Sequence, residues 1–195
     1  MIALIDYGAG NIESVANALN DLNARFVITN NEKEILDADK IIFPGVGEAS
    51  YAVKRLHLLN LFSFLQMTNK PLLGICLGMQ LLCCRSAEGN VSCLGVFPGS
   101  TEIFDNTKTK VPHMGWNQVE ILKPSKLFDG IPDKSFFYFA HSYYVPLNQF
   151  STAQTNHETF FSASCERDNF YGVQFHPEKS GEAGIQLIKN FIEKC

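Results

Sequence analysis

In Pro71-Leu72-Leu73-Gly74-Ile75-Cys76-Leu77-Gly78-Met79-Gln80 an apolar run stops at a lone cysteine, which has a glycine two residues away on either side. The run reads as a buried strand and the residues after Cys76 as a helix. Gly74 and Gly78 let strand and helix approach closely around a strained turn, so the side chain at the apex is held out where a small molecule can reach it. That is the pattern of a nucleophile elbow. It also sets Cys76 at a helix N-terminus, where the positive end of the dipole favours negative charge. A buried cysteine in an ordinary strand-to-helix turn is the plainer alternative.

Outward from the elbow, the first half alternates short apolar runs with helix-period segments. Ile2 to Ile5, Phe26 to Ile28 and Lys40 to Phe43 read as strands, and Ile12, Val15, Ala16, Leu19 and Leu22 mark one face of a helix from Asn11 to Leu22. Pro44-Gly45-Val46-Gly47 breaks the pattern, and a helical stretch runs to about Met67. The second half predicts strands at Gly95 to Phe104, Trp116 to Leu122, Phe136 to Val145, Phe160 to Glu166 and Phe170 to Phe175, some of them antiparallel. A last helix spans Glu182 to Lys194, with Ile185, Ile188, Phe191 and Ile192 inward. The expectation is an α/β fold: a mostly parallel, doubly wound sheet with helices on both faces plus an additional antiparallel strand layer.

With 195 residues, 46% of them hydrophobic and 18% charged, the chain predicts one domain over residues 1 to 195. A net charge of -4, with no clustering of Lys and Arg, argues against a nucleic-acid partner. The apolar start Met1 to Ile5 stops at Asp6 with no basic flank, so it reads as a strand rather than a signal peptide. No apolar run is long enough to span a bilayer. The six cysteines lack disulfide-scaffold or zinc spacing, which leaves the cytoplasm as the expected compartment and predicts no metal or cofactor.

A nucleophilic thiol needs a base. Of the five histidines, His176 alone has an orienting carboxylate built in, within Gln174-Phe175-His176-Pro177-Glu178. Its imidazole would take the thiol proton and return it to a leaving group, while Glu178 holds the other ring nitrogen. Oxyanion donors are available from the Leu77 N–H and from the Pro44 to Gly47 turn, a segment that by itself reads as a plain tight turn.

These motifs resemble the class I (triad) glutamine amidotransferase family from first strand to last helix. The residues that carry the resemblance are Asp6-Tyr7-Gly8-Ala9-Gly10-Asn11, Pro44 to Gly47, the elbow, Val111-Pro112-His113-Met114-Gly115-Trp116-Asn117, Tyr138-Phe139-Ala140-His141-Ser142-Tyr143 and His176-Pro177-Glu178-Lys179-Ser180. The resemblance implies a flavodoxin-like fold and hydrolysis of glutamine through a Cys76 thioester, with His176 and Glu178 completing the triad. It assigns the oxyanion N–H groups to Val46 and Leu77, and substrate contacts to Gly47, Gln80, Glu88, His141, Ser142 and Tyr143. Asn11, Trp116, Tyr138 and Lys179 match positions facing a (β/α)8 cyclase partner in a heterodimer, to which the ammonia would pass. A paralogous subunit feeding a different synthase would keep the same triad, and a hydrolase on the same fold would need its own substrate pocket.

Three features point elsewhere. Gly8 and Gly10 suggest a dinucleotide fingerprint, but Glu13 stands where its third glycine belongs. Met114 and Trp116 by themselves read as a buried pair. Cys83-Cys84 departs from the family pattern of an aromatic followed by an acid, and is expected to pack within the helix after the nucleophile or to make a redox contact with Cys76.

Overall fold

The computed structural model describes residues 1 to 8 and 10 to 195; Ala9, within the Asp6 to Asn11 motif, lies outside the described residues. The strands are β1 (Ile2–Ile5), β2 (Phe26–Thr29), β3 (Lys40–Gly45), β4 (Leu72–Cys76), β5 (Cys83–Ser86), β6 (Val91–Ser92), β7 (Phe97–Ser100), β8 (Glu102–Ile103), β9 (His113–Ile121), β10 (Ser135–His141), β11 (Tyr143–Tyr144), β12 (Ser151–Asn156), β13 (Phe160–Arg167) and β14 (Phe170–Val173). The helices are α1 (Ile12–Asp21), α2 (Glu32–Asp37), α3 (Ala49–Leu58), α4 (Leu61–Met67), α5 (Leu77–Leu81) and α6 (Gly181–Lys194).

Nine strands form one sheet in the order β10-β9-β12-β13-β14-β4-β3-β1-β2. From β14 to β2 neighbouring strands are parallel; from β14 to β10 they are antiparallel. The antiparallel strands therefore continue the parallel sheet edge to edge, and two smaller sheets, β6-β5-β7 and β11-β8, sit beside it. Alternation along each parallel strand feeds two cores. Ile2, Leu4, Ile42, Leu73 and Ile75 pack with α1 and α6 through Val15, Leu19, Leu187, Ile188 and Phe191. Ala3, Ile5, Ile41, Phe43 and Leu72 pack on the other face with α3 and α4 through Val53, Leu56, Leu61 and Leu65. Each fully buried Val, Leu, Ile or Phe side chain among them contributes about 1.5–3 kcal/mol.

Several expectations need correction. The helical stretch ending at Met67 is two helices, broken where Asn60 turns left-handed at φ 58°. The inner face of α6 is wider than expected: Gly184, Leu187, Ile188, Asn190 and Phe191 are buried, and Ile185 and Ile192 pack against the same core half-buried. Cys83 and Cys84 lie in a strand, because α5 ends at Leu81. Cys83 is buried in the core opposite that of Cys76, Cys84 is exposed, and all six cysteines are free. β12 was not expected, since Ser151-Thr152-Ala153-Gln154-Thr155-Asn156 has no apolar alternation. Its buried hydroxyls pair instead: Ser151 with Ser162 at 2.7 Å, Thr152 with Ser164 at 3.0 Å and Thr155 with the Gln118 carbonyl at 2.7 Å. Satisfied in this way, they cost the core little.

Candidate active site

The elbow is built by close approach. A Cβ on Gly74 would stand 2.8 Å from the Gly78 carbonyl group, and one on Gly78 would stand 1.9 Å from the Phe43 oxygen, so neither position accepts a side chain. Between them Cys76 adopts φ 54°, ψ -109°, a strained conformation for an L residue that the packed strand and helix impose. Gly45, paired with Cys76 across β3 and β4, is equally confined, because its Cβ would meet the Tyr7 hydroxyl at 2.6 Å and Leu77 at 2.8 Å.

Cys76 opens on a cavity of about 230 Å³ lined by Val46, Gly47, Leu77, Gln80, Glu88, Pro112, Met114, Ala140, His141, Ser142 and Tyr143. Its size suits a small polar molecule, since drug-sized ligands occupy pockets above ~300 Å³. The cavity lies off the C-terminal ends of β3 and β4, where open α/β sheets place their sites. All of the predicted oxyanion and substrate residues thus meet at one cavity.

His176 follows β14 in the turn leading to α6. Its backbone N–H donates to the Tyr138 carbonyl at 2.8 Å; the Ser180 hydroxyl donates to the His176 carbonyl at 2.6 Å and accepts from the Tyr138 N–H at 3.0 Å. Fixed by this strap, His176 Nδ1 lies 2.8 Å from Glu178 Oε1, with both side chains almost wholly buried. Burial opposes the charged ring, but the Cys76 sulfur and the Glu178 carboxylate favour it by hydrogen bonding and charge, and the net effect raises the His176 pKa well above its usual value. Glu178 Oε1 also accepts from Asn11 Nδ2 at 3.4 Å, while Oε2 is buried without a partner among the described residues.

The substrate-facing groups divide by what is left free. Gln80 Nε2 donates to the Tyr143 carbonyl at 2.7 Å and to Gln174 Oε1 at 3.0 Å, leaving Gln80 Oε1 for a ligand. Glu88 Oε2 accepts the Ala49 N–H at 2.8 Å and so fixes the start of α3, two residues beyond Gly47. Burial raises its pKa. Gly47 has φ 94° and open space on the side a Cβ would fill. His141 lines the cavity, but both of its ring nitrogens are engaged inside the protein, one with His113 at 3.0 Å and the other with the Tyr143 carbonyl at 2.8 Å, so its ring offers a wall rather than a donor or acceptor.

Burial lowers the pKa of His113 to about 4 and that of His141 to about 3, with the neighbouring His157 acting in the same direction on both. Both stay neutral in the fold but would charge near pH 6.5 once unfolded. Below that pH the unfolded chain binds the extra protons, so stability falls as pH falls. From pH 7 to pH 5 the pair's loss is about 4 kcal/mol, partly offset by His176, whose raised pKa acts in the opposite direction, and the net fall is readable by urea unfolding at the two pH values. Equal stability at both would refute the neutral pair.

At the predicted partner surface, Trp116 and Met114 are 57% and 64% exposed rather than a buried pair. Trp116 pairs with Tyr138 across β9 and β10, their rings edge-on at 6.1 Å, with Phe136 exposed nearby on the same strand. Lys179 is exposed and Asn11 half-buried. Gln174, which directs its Nε2 toward Cys76 Sγ at 3.7 Å, and Ser180 were given no role from sequence, although both lie within quoted motifs.

The "Glutamine amidotransferase class-I" family model matches residues 3–195. The imidazole glycerol phosphate synthase subunit HisH of Bacteroides fragilis (strain YCH46) is 51% identical, the match covering 98% of both chains. The HisH subunit of Haemophilus influenzae (strain ATCC 51907) is 47% identical over 99% of this chain and 97% of its own. Among solved structures, a glutamine amidotransferase superposes with a TM-score of 0.72 at 16% identity, covering 99% of this chain and 98% of that one, which shows the shared fold. The chain belongs to the class I glutamine amidotransferase family. No helix among the described residues is long and apolar enough to cross a membrane.

Proposed function

We propose that this chain is the glutaminase subunit of an imidazole glycerol phosphate synthase, acting in the cytoplasm in histidine biosynthesis as one half of a heterodimer. The observation that carries the chemistry is the buried His176–Glu178 pair at 2.8 Å beside a strained cysteine that opens on a small polar cavity. The HisH relatives carry the pathway.

Glutamine enters the cavity with its side-chain amide at Cys76. The sulfur attacks the amide carbon as His176 takes up the thiol proton, and the oxygen bearing the developing charge is met by the N–H groups of Val46 and Leu77. His176 then protonates the departing nitrogen, releasing ammonia and leaving a γ-glutamyl thioester on Cys76. Water, deprotonated by His176, cleaves the thioester to glutamate and restores the thiol. Gln80 Oε1, Glu88, Ser142 and the Gly47 and Tyr143 backbones hold the amino-acid end. The ammonia passes to the (β/α)8 cyclase subunit, which uses it to form imidazole glycerol phosphate and an aminoimidazole carboxamide ribotide. The exposed Met114, Trp116 and Phe136, with Tyr138 opposite Trp116 on β10 and Lys179 and Asn11 near the triad, form the surface that docks it.

Glutamate release from glutamine is the test, measured for the chain alone and then with the cyclase subunit and its nucleotide ligand. Strong stimulation by the complete mixture is expected. Activity indifferent to the cyclase would move the chain to another synthase, and none under any condition, with folding verified, would refute the glutaminase reading.

A further inference from the structure

We propose that His113 is a positioning residue for substrate binding, which holds the Ala140-to-Tyr143 wall of the cavity in place through His141. The inference rests on the reading of that cavity as the glutamine site. His113 itself does not line the cavity.

The argument begins at Asn117, whose amide is fixed at both ends: Nδ2 donates to the Asn156 carbonyl at 2.8 Å and Oδ1 accepts the Gln118 N–H at 2.9 Å. Nδ2 also reaches His113 Nε2 at 3.2 Å, and since an amide nitrogen can only donate, His113 Nε2 accepts. The proton of His113 is then on Nδ1, which donates to His141 Nε2 at 3.0 Å. His141 must carry its own proton on Nδ1, which donates to the Tyr143 carbonyl at 2.8 Å. The far end gives the same answer, because a carbonyl can only accept. Every donor from Asn117 to Tyr143 therefore points one way.

The chain ends on a shared acceptor. The Tyr143 carbonyl takes the His141 N–H and, from the opposite wall, Gln80 Nε2 at 2.7 Å. Gln80 stands on α5, the helix that starts at the nucleophile, so this one oxygen sets the spacing between the Cys76–Gln80 wall and the Ala140–Tyr143 wall. Aromatic packing holds the His113 ring: His157 stacks on it at 4.2 Å and Phe139 at 4.8 Å. With the ring clamped, the direction of the hydrogen bond to His141 is fixed by the fold rather than by substrate, which is the property a positioning group needs.

The variants His113→Phe and His113→Asn separate this role from bulk packing. Phenylalanine keeps the stacked ring and removes the donor; asparagine loses the ring and keeps a donor where Nδ1 stands. In the complete enzyme His113→Phe is expected to raise KM for glutamine about tenfold with kcat much less affected. Alkylation of Cys76 by iodoacetamide should stay at the wild-type rate, and His113→Asn should recover most of the KM. An unchanged KM in His113→Phe would overturn the proposal, as would equal loss in both variants or alkylation slowed in step with KM. Should His113→Phe fail to fold, nitrogen NMR on the wild-type chain decides: both rings protonated on Nδ1 at pH 7 supports the chain of donors, and an Nε2 proton on either overturns it. A wild-type enzyme inactive on glutamine would sink the cavity's reading, and this inference with it; an active one with an unaltered variant KM would sink the positioning role alone.

Discussion

Cys76→Ala is expected to lower glutamine hydrolysis by at least about four orders of magnitude while leaving the fold and ammonia-driven synthesis by the cyclase partner intact. The size follows from triads in which loss of the nucleophile alone removes nearly all of the rate, because base and orienting carboxylate have nothing to act on. The survival of the fold follows from what the sulfur does in the resting protein. Apart from its pairing with the His176 ring, its polar contacts are long ones, to the Ala140 carbonyl at 3.9 Å and from Gln174 at 3.7 Å. The strain at φ 54° falls on any L residue at that position, so alanine inherits it rather than adding to it. Three measurements bear on the expectation: glutamate release, the urea unfolding midpoint, and product formation with an added ammonium salt. Glutaminase activity within about tenfold of wild type would remove Cys76 from the chemistry.

The parts of the site that could be read from sequence are those in which function is written into adjacent residues. The elbow shows because close approach forbids a side chain at Gly74 and Gly78, and that prohibition is local. His176 and Glu178 show because base and carboxylate are two positions apart. What stayed hidden depends on residues that only the sheet brings together. His113 and His141 are 28 residues apart and meet because β9 and β10 pair them directly opposite each other. Nothing in the sequence therefore showed that the ring nitrogens of His141 are spent internally. β12 stayed hidden because, Ala153 apart, its buried side chains are hydroxyls, which find partners on neighbouring strands and leave no apolar period to detect. Met114 and Trp116 by themselves read as core because nothing in their spacing says that β9 turns them to solvent, and only the resemblance set Trp116 at a partner surface. The five-residue α5 misplaced Cys83 and Cys84: a helix begun at Cys76 had no stop signal before them, and the turn into β5 is imposed by pairing with β6 and β7.

Glu178→Gln separates the two tasks of the carboxylate, and its expected effect is a fall in kcat of about three to four orders of magnitude with little change in KM. The exchange preserves volume at a buried position, so packing is not what it probes. As a carboxylate, Glu178 can only accept, and at 2.8 Å it compels the proton onto His176 Nδ1, which leaves Nε2 as the base for the thiol. A glutamine side chain can turn its amide nitrogen toward Nδ1, and the imidazole then carries its proton on Nε2, where the base is needed. The same change removes one of the two charges that favour the imidazolium, so the pKa of His176 should fall from its raised value. Binding is spared because neither Glu178 nor His176 lines the cavity. Steady-state kinetics with glutamine in the complete enzyme give kcat and KM separately, and the His176 ring resonances followed by NMR give the direction of the titration shift. A variant that keeps kcat within about tenfold of wild type would mean that the strap through Ser180 and Tyr138 orients His176 unaided, reducing Glu178 to a packing residue.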